Sequence, residues 1–356
     1  MTKNLIIFTL LASLLILSCK DNNPGPDNAA SYSNEAVITD FVDNTVVPKY
    51  ESLKNEAGYM KSDADNFISG STQEKLNILR ADWFRTREAW ETTECFLFGP
   101  VATLELDPSI DDWPLNSVDL DSVMATSNTF TPSYVASLST SLKGFHAIEY
   151  LIFGKNGNRL AADFTAREKE YLGALCADLL TITTKMYTEW NPAQGNYRNE
   201  LVTAGNGNAT YPTKKAALLE ITNAITGIVE EVGASKISEP FNTFDSTLEE
   251  SQFSKNSFTD FKNNIIGARD AYMNKYDSKT KTSISDFVKQ YNKSLDQDII
   301  IKFNAIIQNL GSYNTTFGNA IIKQRPNISN TIAALDDLKN NIENGILPLI
   351  HLHVTD

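Results

Sequence analysis

The sequence predicts an all-α protein, and three features of the chain support this. In nearly every long segment, apolar residues recur three or four positions apart, which is the spacing of one face of an α-helix. No segment alternates apolar and polar residues over more than a few positions, as a strand with one buried face would. Stretches rich in Pro, Gly and Asn separate the periodic segments, as turns between helices would.

The helical pattern covers nine segments of the chain. They are residues 34–53, 71–99, 132–154, 166–190, 213–232, 257–276, 283–292, 296–323 and 328–346. Pro48 is expected to kink or end the first helix, because proline lacks the amide hydrogen that a helix interior requires. Gly233 is expected to mark the end of the fifth helix. Ser257 and Asp260 resemble a capping pair that would satisfy free backbone amides at the start of the sixth.

Length and composition indicate a folded protein with two domains or one duplicated unit. The chain has 356 residues, which is long for a single core, and 42% of them are hydrophobic. The predicted domain boundary lies within residues 191–211, a stretch rich in Asn and Gly. We place the N-terminal domain at residues 32–200 and the C-terminal domain at residues 201–356. The net charge of −13 argues against nucleic acid and anionic membrane surfaces as partners, since both repel an acidic protein.

The N-terminus has the pattern of a lipoprotein signal peptide, residues 1–19. Lys3 precedes an apolar run, residues 5–17, that is too short to span a bilayer. The run ends in a sequence that resembles a bacterial lipobox, so Cys19 is the predicted site of lipid attachment. Residues 20–31 are polar and suit a flexible tether. The sequence therefore predicts a cell-envelope protein, periplasmic or associated with the outer membrane, that contacts the membrane only through its lipid anchor.

The two remaining cysteines, Cys95 and Cys176, both lie in apolar helical surroundings. An oxidising cell envelope would allow them to pair. Their apolar neighbours instead favour two buried free thiols. The chain contains no Cys-x-x-Cys pair that would indicate a zinc site.

A candidate site lies in the apolar segment from Gly144 to Gly154. It contains His146, one of three histidines in the chain, and Glu149 follows three positions later. Residues at this spacing share one face of a helix, so an imidazole nitrogen and a carboxylate can meet at one cation. The alternative is a core histidine that simply bonds to its neighbouring carboxylate. Gly144 costs about 1 kcal/mol in a helix interior, so another segment is expected to pass close to its backbone.

The pattern Gly-x-His-x-x-Glu, followed by an apolar run and a glycine, resembles the signature of the imelysin family. Three further stretches resemble the same family: residues 83–100, beginning Trp-Phe-Arg-Thr-Arg; residues 110–114, Ile-Asp-Asp-Trp-Pro; and residues 249–267, beginning Glu-Glu-Ser-Gln-Phe. Together the four stretches span most of the chain in the order found in the family. The chain is therefore identified as a member of the imelysin family.

The resemblance implies two four-helix-bundle-like domains that form a duplicated fold, with the site at or near their interface. It also implies an envelope protein from a family tied to iron uptake, some members of which are described as peptidases. By analogy, the metal ligands are His146, Glu149 and Glu250, with Glu249 as an alternative to Glu250. The residues that would line the site by the same analogy are Gly144, Ser251, Asp111, Trp113 and Arg85.

The residue types at the site favour metal binding over peptidase chemistry. A zinc peptidase of the His-Glu-x-x-His type has two histidine ligands and a general base beside the first. Here Ala147 follows His146, Tyr150 stands at the fourth position, and the other histidines, His351 and His353, lie near the C-terminus. One histidine with several carboxylates suits a harder cation than zinc. Helical bundles build iron sites from Glu and His at this spacing.

The sequence thus favours a protein that binds a metal ion or a small metal-containing ligand, with iron preferred and zinc as an alternative. A metal-dependent peptidase with His146 and Glu149 as its catalytic groups is the second interpretation. The third is a helical module that binds another ligand or an envelope protein without any metal. In that case the His146–Glu149 pair would serve only to hold the two domains together.

Overall fold

Eight helices of ten or more residues form the framework of the part of the chain described by a computed structural model, residues 32–276 and 281–355. They are α1 (Val47–Ser69), α2 (Gln73–Glu91), α3 (Gly144–Phe153), α4 (Ala166–Trp190), α5 (Lys214–Glu230), α6 (Ser257–Met273), α7 (Lys293–Leu310) and α8 (Arg325–Asn341). No strand occurs among the described residues. The prediction of an all-α fold is confirmed.

Shorter helical segments connect or extend these eight helices. The α-helical ones are Asn34–Phe41, Pro100–Thr103, Pro108–Asp111, Ser117–Met124, Pro132–Ala136, Arg198–Val202, Ser238–Thr243, Ile284–Tyr291, Phe317–Lys323 and Leu347–His353. Three π-helical segments, Val42–Val46, Glu231–Ile237 and Ile342–Ile346, lie within longer helical runs. The 3₁₀ segments are Glu94–Phe96, Thr140–Leu142, Ala161–Asp163 and Ser246–Leu248.

The eight long helices pack as two rings of four. In the first ring α1 contacts α2 and α4, and α3 contacts the same two helices. In the second ring α5 contacts α6 and α8, as does α7. The rings meet where α2 packs on α6, and one continuous apolar core runs through both. This arrangement is compatible with the predicted pair of four-helix-bundle-like domains, while the boundary at residue 200 and the duplication stay predictions.

The first helical run continues past Pro48, so of the two predicted outcomes, a kink or an end, the end does not occur. It passes from Asn34–Phe41 through the π-helical segment Val42–Val46 into α1, where Pro48 occupies the first turn. Proline is tolerated in a first turn, because the amide hydrogen that it lacks would have no partner within the helix there. The same arrangement recurs at Pro348, which follows the π-helical segment Ile342–Ile346.

Gly233 also does not end its helix. It lies within the π-helical segment Glu231–Ile237, which joins α5 directly to the helix Ser238–Thr243. A π-helical turn contains an extra residue and therefore changes the direction of the side chains that follow. Lys236, one of the side chains of this segment, points into the protein and is buried.

Gly144 begins α3 instead of lying in a helix interior. Its φ angle is +74°, and a Cβ atom at this position would overlap the backbone carbonyl of Ile110. The expectation that another segment passes close to this glycine is therefore confirmed. Because Asp111 directly follows Ile110, the missing side chain at Gly144 allows Asp111 to approach α3.

Replacing Gly144 with alanine is expected to lower the free energy of unfolding by more than about 2 kcal/mol. The new side chain would have a left-handed backbone conformation and would push against a backbone carbonyl that cannot rotate away. Gly227→Ala is the matched control, since Gly227 lies inside α5 with no atom near its missing Cβ and should gain up to about 1 kcal/mol. Urea unfolding of both variants measures the difference. Equal effects would contradict the role of Ile110.

Predictions for the cysteines and the N-terminus have different outcomes. Cys95 and Cys176 are buried and free, as predicted. Cys19, the signal peptide and the tether lie outside the described residues. In the part of the chain that is described, no helix combines the length and the apolar character needed to cross a membrane.

Candidate metal centre

The His146–Glu149 pair lies on the buried helix α3, where both side chains are almost completely shielded from solvent. Nδ1 of His146 is 3.3 Å from Oε2 of Glu149. The other oxygen, Oε1, accepts hydrogen bonds from the backbone amides of Phe253 and Ser254, at 3.1 and 2.7 Å, and from the Ser254 hydroxyl at 2.7 Å. Glu149 therefore fixes the imidazole ring and also ties α3 to the turn that precedes α6.

The opposite nitrogen of His146 faces an aspartate. Nε2 is 3.2 Å from Oδ1 of Asp111, whose Oδ2 accepts a hydrogen bond of 2.6 Å from the indole of Trp90. One ligand atom from each of Asp111, His146 and Glu250 can be chosen so that all three lie within 4.8 Å of one another. The ring of Trp113 lies 6.4 Å from the imidazole, centroid to centroid, and closes one side of this group.

Arg87 is the main cation at the site, and its side chain is fully buried. Its Nη2 is 2.6 Å from an oxygen of Glu91 and 2.6 Å from Oε1 of Glu250. Its Nη1 donates to Asp111, and its Nε is 3.8 Å from Oδ1 of Asp260. One guanidinium thus contacts four carboxylates. Glu91 and Asp111 belong to the first ring and its loops, and Glu250 and Asp260 belong to the second.

A second cation, the ammonium of Lys236, enters from the π-helical segment Glu231–Ile237. Nζ is 2.7 Å from Oε1 of Glu250, 3.0 Å from Oε2 of Glu94 and 3.8 Å from Oε2 of Glu91. The amide of Asn264 donates to Glu91 at 2.6 Å and also to Glu94. Lys236 and Asn264 therefore hold the C-terminal end of α2 against the second ring.

Acids outnumber bases in this assembly, which we call the buried charge cluster. Its members are Arg87, Glu91, Glu94, Asp111, His146, Glu149, Lys236, Glu250 and Asp260, all of them buried. Six carboxyl groups face only three basic groups, one of which is the titratable His146. Unbalanced charge is costly in a protein interior, so the excess must be neutralised by bound protons or by an added cation.

The pKa shifts show that protons balance part of this excess. Burial raises the pKa of Asp260 to about 7 and raises the pKa of Glu91 well above its usual range. Burial lowers the pKa of His146, but its contacts with Asp111 and Glu149 outweigh this effect and raise the pKa to about 9. Burial also opposes ionisation of Asp111, yet Arg87 holds the pKa of that carboxyl well below its usual range. Near neutral pH, His146 is therefore protonated and Asp111 is ionised.

A cleft of about 520 Å³ opens beside the turn that Glu149 holds. Its lining includes Tyr150 and Lys155 at the end of α3, and Phe253 and Lys255 from that turn. Phe253 packs edge-on against Tyr150, with the ring centroids 5.1 Å apart. The cleft therefore lies beside the turn whose backbone amides bind Glu149.

A comparison with known families accounts for this combination of fold and site. Residues 46–343, most of the chain, match the family model described as Imelysin. The chain belongs to the imelysin family. The recognition made from four sequence motifs is confirmed, and the match includes both rings and every member of the buried charge cluster.

One relative in sequence and two solved structures are similar to this protein over nearly the whole chain. Iron-regulated protein A from Synechococcus elongatus is 29% identical over 332 residues, which cover 90% of each chain. A crystal structure described as a candidate iron-regulated protein A precursor from Parabacteroides distasonis superposes with a TM-score of 0.81 at 24% identity, covering 92% of this chain and 98% of that one. An imelysin-like protein from Psychrobacter arcticum has a TM-score of 0.74 at 13% identity and covers 91% and 97%. These two structures share its fold.

The structure separates the two adjacent glutamates that the imelysin motif left ambiguous. Glu250 lies in the buried charge cluster. Glu249 turns the other way, with Oε1 at 2.9 Å from Nζ of Lys255 and Oε2 at 3.1 Å from the hydroxyl of Ser257. Ser251 is buried beside Asp260, and its hydroxyl lowers the pKa of that carboxyl against the larger effect of burial.

Arg85 does not belong to the site, although the resemblance placed it there. Its side chain is 52% exposed, and its partners are Glu56 and the buried carboxylate of Asp82, neither of which belongs to the buried charge cluster. The arginine in the site is Arg87, two positions later, on the buried face of α2. The sequence contained a signal for this choice, because Arg87 is four residues from Trp83 and three from Trp90, and both tryptophans are fully buried.

Asp260 has a different role from the one that its position suggested. The residue that precedes α6 is Asn256, and no side chain caps the helix there. Asp260 instead points into the buried charge cluster and accepts a hydrogen bond of 2.6 Å from the Asn256 side chain. Sequence reasoning also missed Glu91, Glu94 and Lys236, since charged residues on amphipathic helices are usually solvated.

Proposed function

We propose that this imelysin-family protein binds a metal cation in the buried charge cluster, with Nε2 of His146 and carboxylate oxygens of Asp111 and Glu250 as ligands. The observation that carries the proposal is the convergence of these three groups in a cluster with excess carboxylates. The buried Oε2 of Glu250, which has no hydrogen-bond partner, also supports it. Nε2 of His146 is likewise a buried atom without a hydrogen-bond partner. A cation at this point would replace a proton on that nitrogen and would satisfy the free oxygen of Glu250.

Glu149 fits the role of an orienting group better than that of a ligand. One of its oxygens accepts three hydrogen bonds, and the other faces Nδ1 of His146. A histidine that binds a metal usually donates its second N–H to a carboxylate, which fixes the ring and makes the free nitrogen more basic. We therefore assign Glu149 to the positioning of His146.

Iron is the metal that we favour, with zinc as the alternative. One imidazole combined with several carboxylates suits iron, whereas catalytic zinc sites have mostly two or three histidine or cysteine ligands. The relative from Synechococcus elongatus is named iron-regulated protein A, which connects that protein to iron, and we extend this connection to a role in iron uptake for the present protein. The cargo is either the ion alone or a small metal-containing ligand that enters through the cleft at Lys155 and Lys255.

We further propose that the protein acts in the cell envelope and is held there by a lipid on Cys19. The signal-peptide pattern and the polar tether after it support this location. A protein with a net charge of −13 would contact the membrane through that anchor alone and would not bind nucleic acid. Other envelope proteins remain the expected partners for delivering or receiving the metal.

Calorimetric titration of purified protein with Fe²⁺ under anaerobic conditions, and separately with Zn²⁺, tests the metal-binding proposal. Wild type is expected to bind one equivalent. His146→Ala and Glu250→Gln each remove one ligand and should weaken binding more than about 100-fold, while Glu149→Gln should weaken it about 10–100-fold through the orientation of His146. Glu88→Gln is the matched control, because Glu88 is exposed on the same helix as Arg87 and should bind as wild type does.

Unchanged affinity in His146→Ala and Glu250→Gln would contradict the proposal. If neither metal binds to wild type and the substitutions only lower the melting temperature, the cluster is a structural joint between the rings. The remaining interpretation would then be a helical module that binds a ligand or a protein without any metal.

A metal-dependent peptidase is the second candidate function, and the cleft beside Tyr150 and Phe253 is the observation that favours it. A polypeptide substrate needs an open groove next to the reacting groups. His146 is buried, and it is the one histidine in the groups of possible metal ligands among the described residues. Both features favour binding over catalysis. Cleavage of an unfolded polypeptide that is abolished both by a chelator and in His146→Ala would establish the peptidase. Cleavage that persists in this variant would indicate a contaminant.

A further inference from the structure

The buried charge cluster contains a second group of oxygens that converge as closely as the first. Glu91, Glu94, Asp111 and Glu250 can each offer one oxygen so that all four lie within 4.8 Å of one another. Asp111 and Glu250 belong to this group and also to the group with His146. Two adjacent positions that share carboxylates could hold two cations next to each other, as carboxylate-rich helical bundles do.

The second position already contains a positive charge from the chain itself. Nζ of Lys236 approaches three of its four carboxylates, at 2.7 Å for Glu250, 3.0 Å for Glu94 and 3.8 Å for Glu91. The Lys236 side chain has no exposed surface, and the ring of Trp113 faces its ammonium at 5.3 Å. A compact ammonium with three hydrogen-bond donors is the side-chain group most similar to a bound monovalent cation.

We propose that the ammonium of Lys236 permanently occupies a second metal position, and that it thereby limits the buried charge cluster to one metal ion. The inference rests on the proposed function for the first ion, at His146. It adds that Lys236 determines the metal stoichiometry, and that its removal opens a site made of four carboxylates. Such a site would take hard divalent cations such as Mn²⁺, which prefer oxygen ligands.

The direction of Lys236 depends on a local irregularity of the helix. The residue lies in the π-helical segment Glu231–Ile237, which widens the helical path between α5 and the helix Ser238–Thr243. Single π-helical turns inside α-helices are frequent at functional sites, because they change the direction of a side chain without breaking the helix. The π-helical segment therefore sets the direction in which the ammonium of Lys236 enters the buried charge cluster.

Mn²⁺ equivalents bound to wild type and to Lys236→Met, measured by elemental analysis after desalting, test the inference. Wild type is expected to retain one ion and Lys236→Met two, and the two ions should show exchange coupling in electron paramagnetic resonance because they share carboxylates. Lys236→Arg, which keeps the charge, should retain one. Lys49→Met is the matched control, because Lys49 is also buried but pairs with Asp270 outside the cluster, at 3.2 Å; it too should retain one.

Several results would overturn the inference. Equal numbers of equivalents in wild type and in a folded Lys236→Met, or two equivalents in wild type, would show that the lysine does not determine the stoichiometry. If Lys236→Met is unfolded without metal, Mn²⁺ is expected to restore its helical circular dichroism with two equivalents, and failure to recover would count against the inference. The double variant Lys236→Met/Glu94→Gln, which loses one charge of each sign, should fold and return to one equivalent.

The same measurements separate this inference from the proposed function. If wild type binds no metal but Lys236→Met binds one ion, the function proposed for His146 fails and the position of Lys236 is still supported. If wild type and Lys236→Met both bind one ion, the proposed function stands and the inference fails. If no variant binds Mn²⁺, Fe²⁺ or Zn²⁺, both are wrong.

Discussion

Arg87→Met is expected to lower the free energy of unfolding by about 3–5 kcal/mol, the usual cost of removing one partner from a buried ion pair. The guanidinium contacts carboxylates of Glu91, Asp111, Glu250 and Asp260, and the Arg87 side chain has no exposed surface. Without it, Lys236 and His146 would be the only bases left to balance six buried carboxyl groups. Some of these groups would take up protons, and the contact between the two rings would weaken.

Arg85→Met is the matched control for this prediction, because it removes the same side chain two positions away on the same helix. Arg85 is half exposed but one of its partners, Asp82, is buried, so we expect Arg85→Met to cost about 1–3 kcal/mol, less than the loss of a cation with four buried partners. Urea unfolding followed by circular dichroism measures both variants. A loss at Arg87 that is no larger than the loss at Arg85 would show that the buried charge cluster does not depend on its arginine.

The second large effect that we expect is a loss of stability of the metal-free protein as the pH rises from about 5 to 9. Burial raises the pKa of Asp107 to about 8, and the pKa values of Glu231 and Asp260 to about 7. Burial opposes protonation of His146, but Asp111 and Glu149 raise its pKa to about 9. Each of these values exceeds the value for the unfolded chain, so the folded protein binds more protons.

The sign of the effect follows from this excess of protons in the folded state. The contribution of the three acids is fully present below their unfolded pKa values near 4, and it is lost as the pH rises through 7 to 8. The contribution of His146 is fully present below about 6.5 and is lost as the pH rises through 9. A combined shift of only two pKa units would amount to about 3 kcal/mol. Asp111 acts in the opposite sense, but only in strongly acidic solution.

Metal should reverse this dependence on pH. A cation competes with the protons of the buried charge cluster, so it stabilises the fold more at pH 8.5 than at pH 6. Urea unfolding at several pH values, with a chelator and with saturating Zn²⁺, measures both effects in wild type. Glu250→Gln serves as the comparison, since it should lose most of the metal effect. Stability of the metal-free protein that stays constant or rises between pH 5 and 9 would contradict the assignment of these buried protons.

The sequence by itself determined those features of the protein that depend on near neighbours along the chain. The spacing of apolar residues predicted the helices, and the apolar neighbours of Cys95 and Cys176 predicted their burial as free thiols. The pairing of His146 with Glu149 followed from one turn of helix. These inferences involve residues within a few positions of one another, where helix geometry sets the distances. Gly144 correctly indicated a close backbone contact, although the sequence placed it inside a helix of residues 132–154 and could not name its partner, Ile110.

Only the tertiary structure decided which charges are buried together. Arg85 and Arg87 are alike in sequence, as are Glu249 and Glu250, but in each pair one side chain enters the cluster and its neighbour faces away. Lys236 joins them through a π-helical turn that no spacing rule predicted. The physical reason is that a buried charge is stable only where opposite charges lie within a few ångströms, and here those partners come from segments more than 100 residues apart.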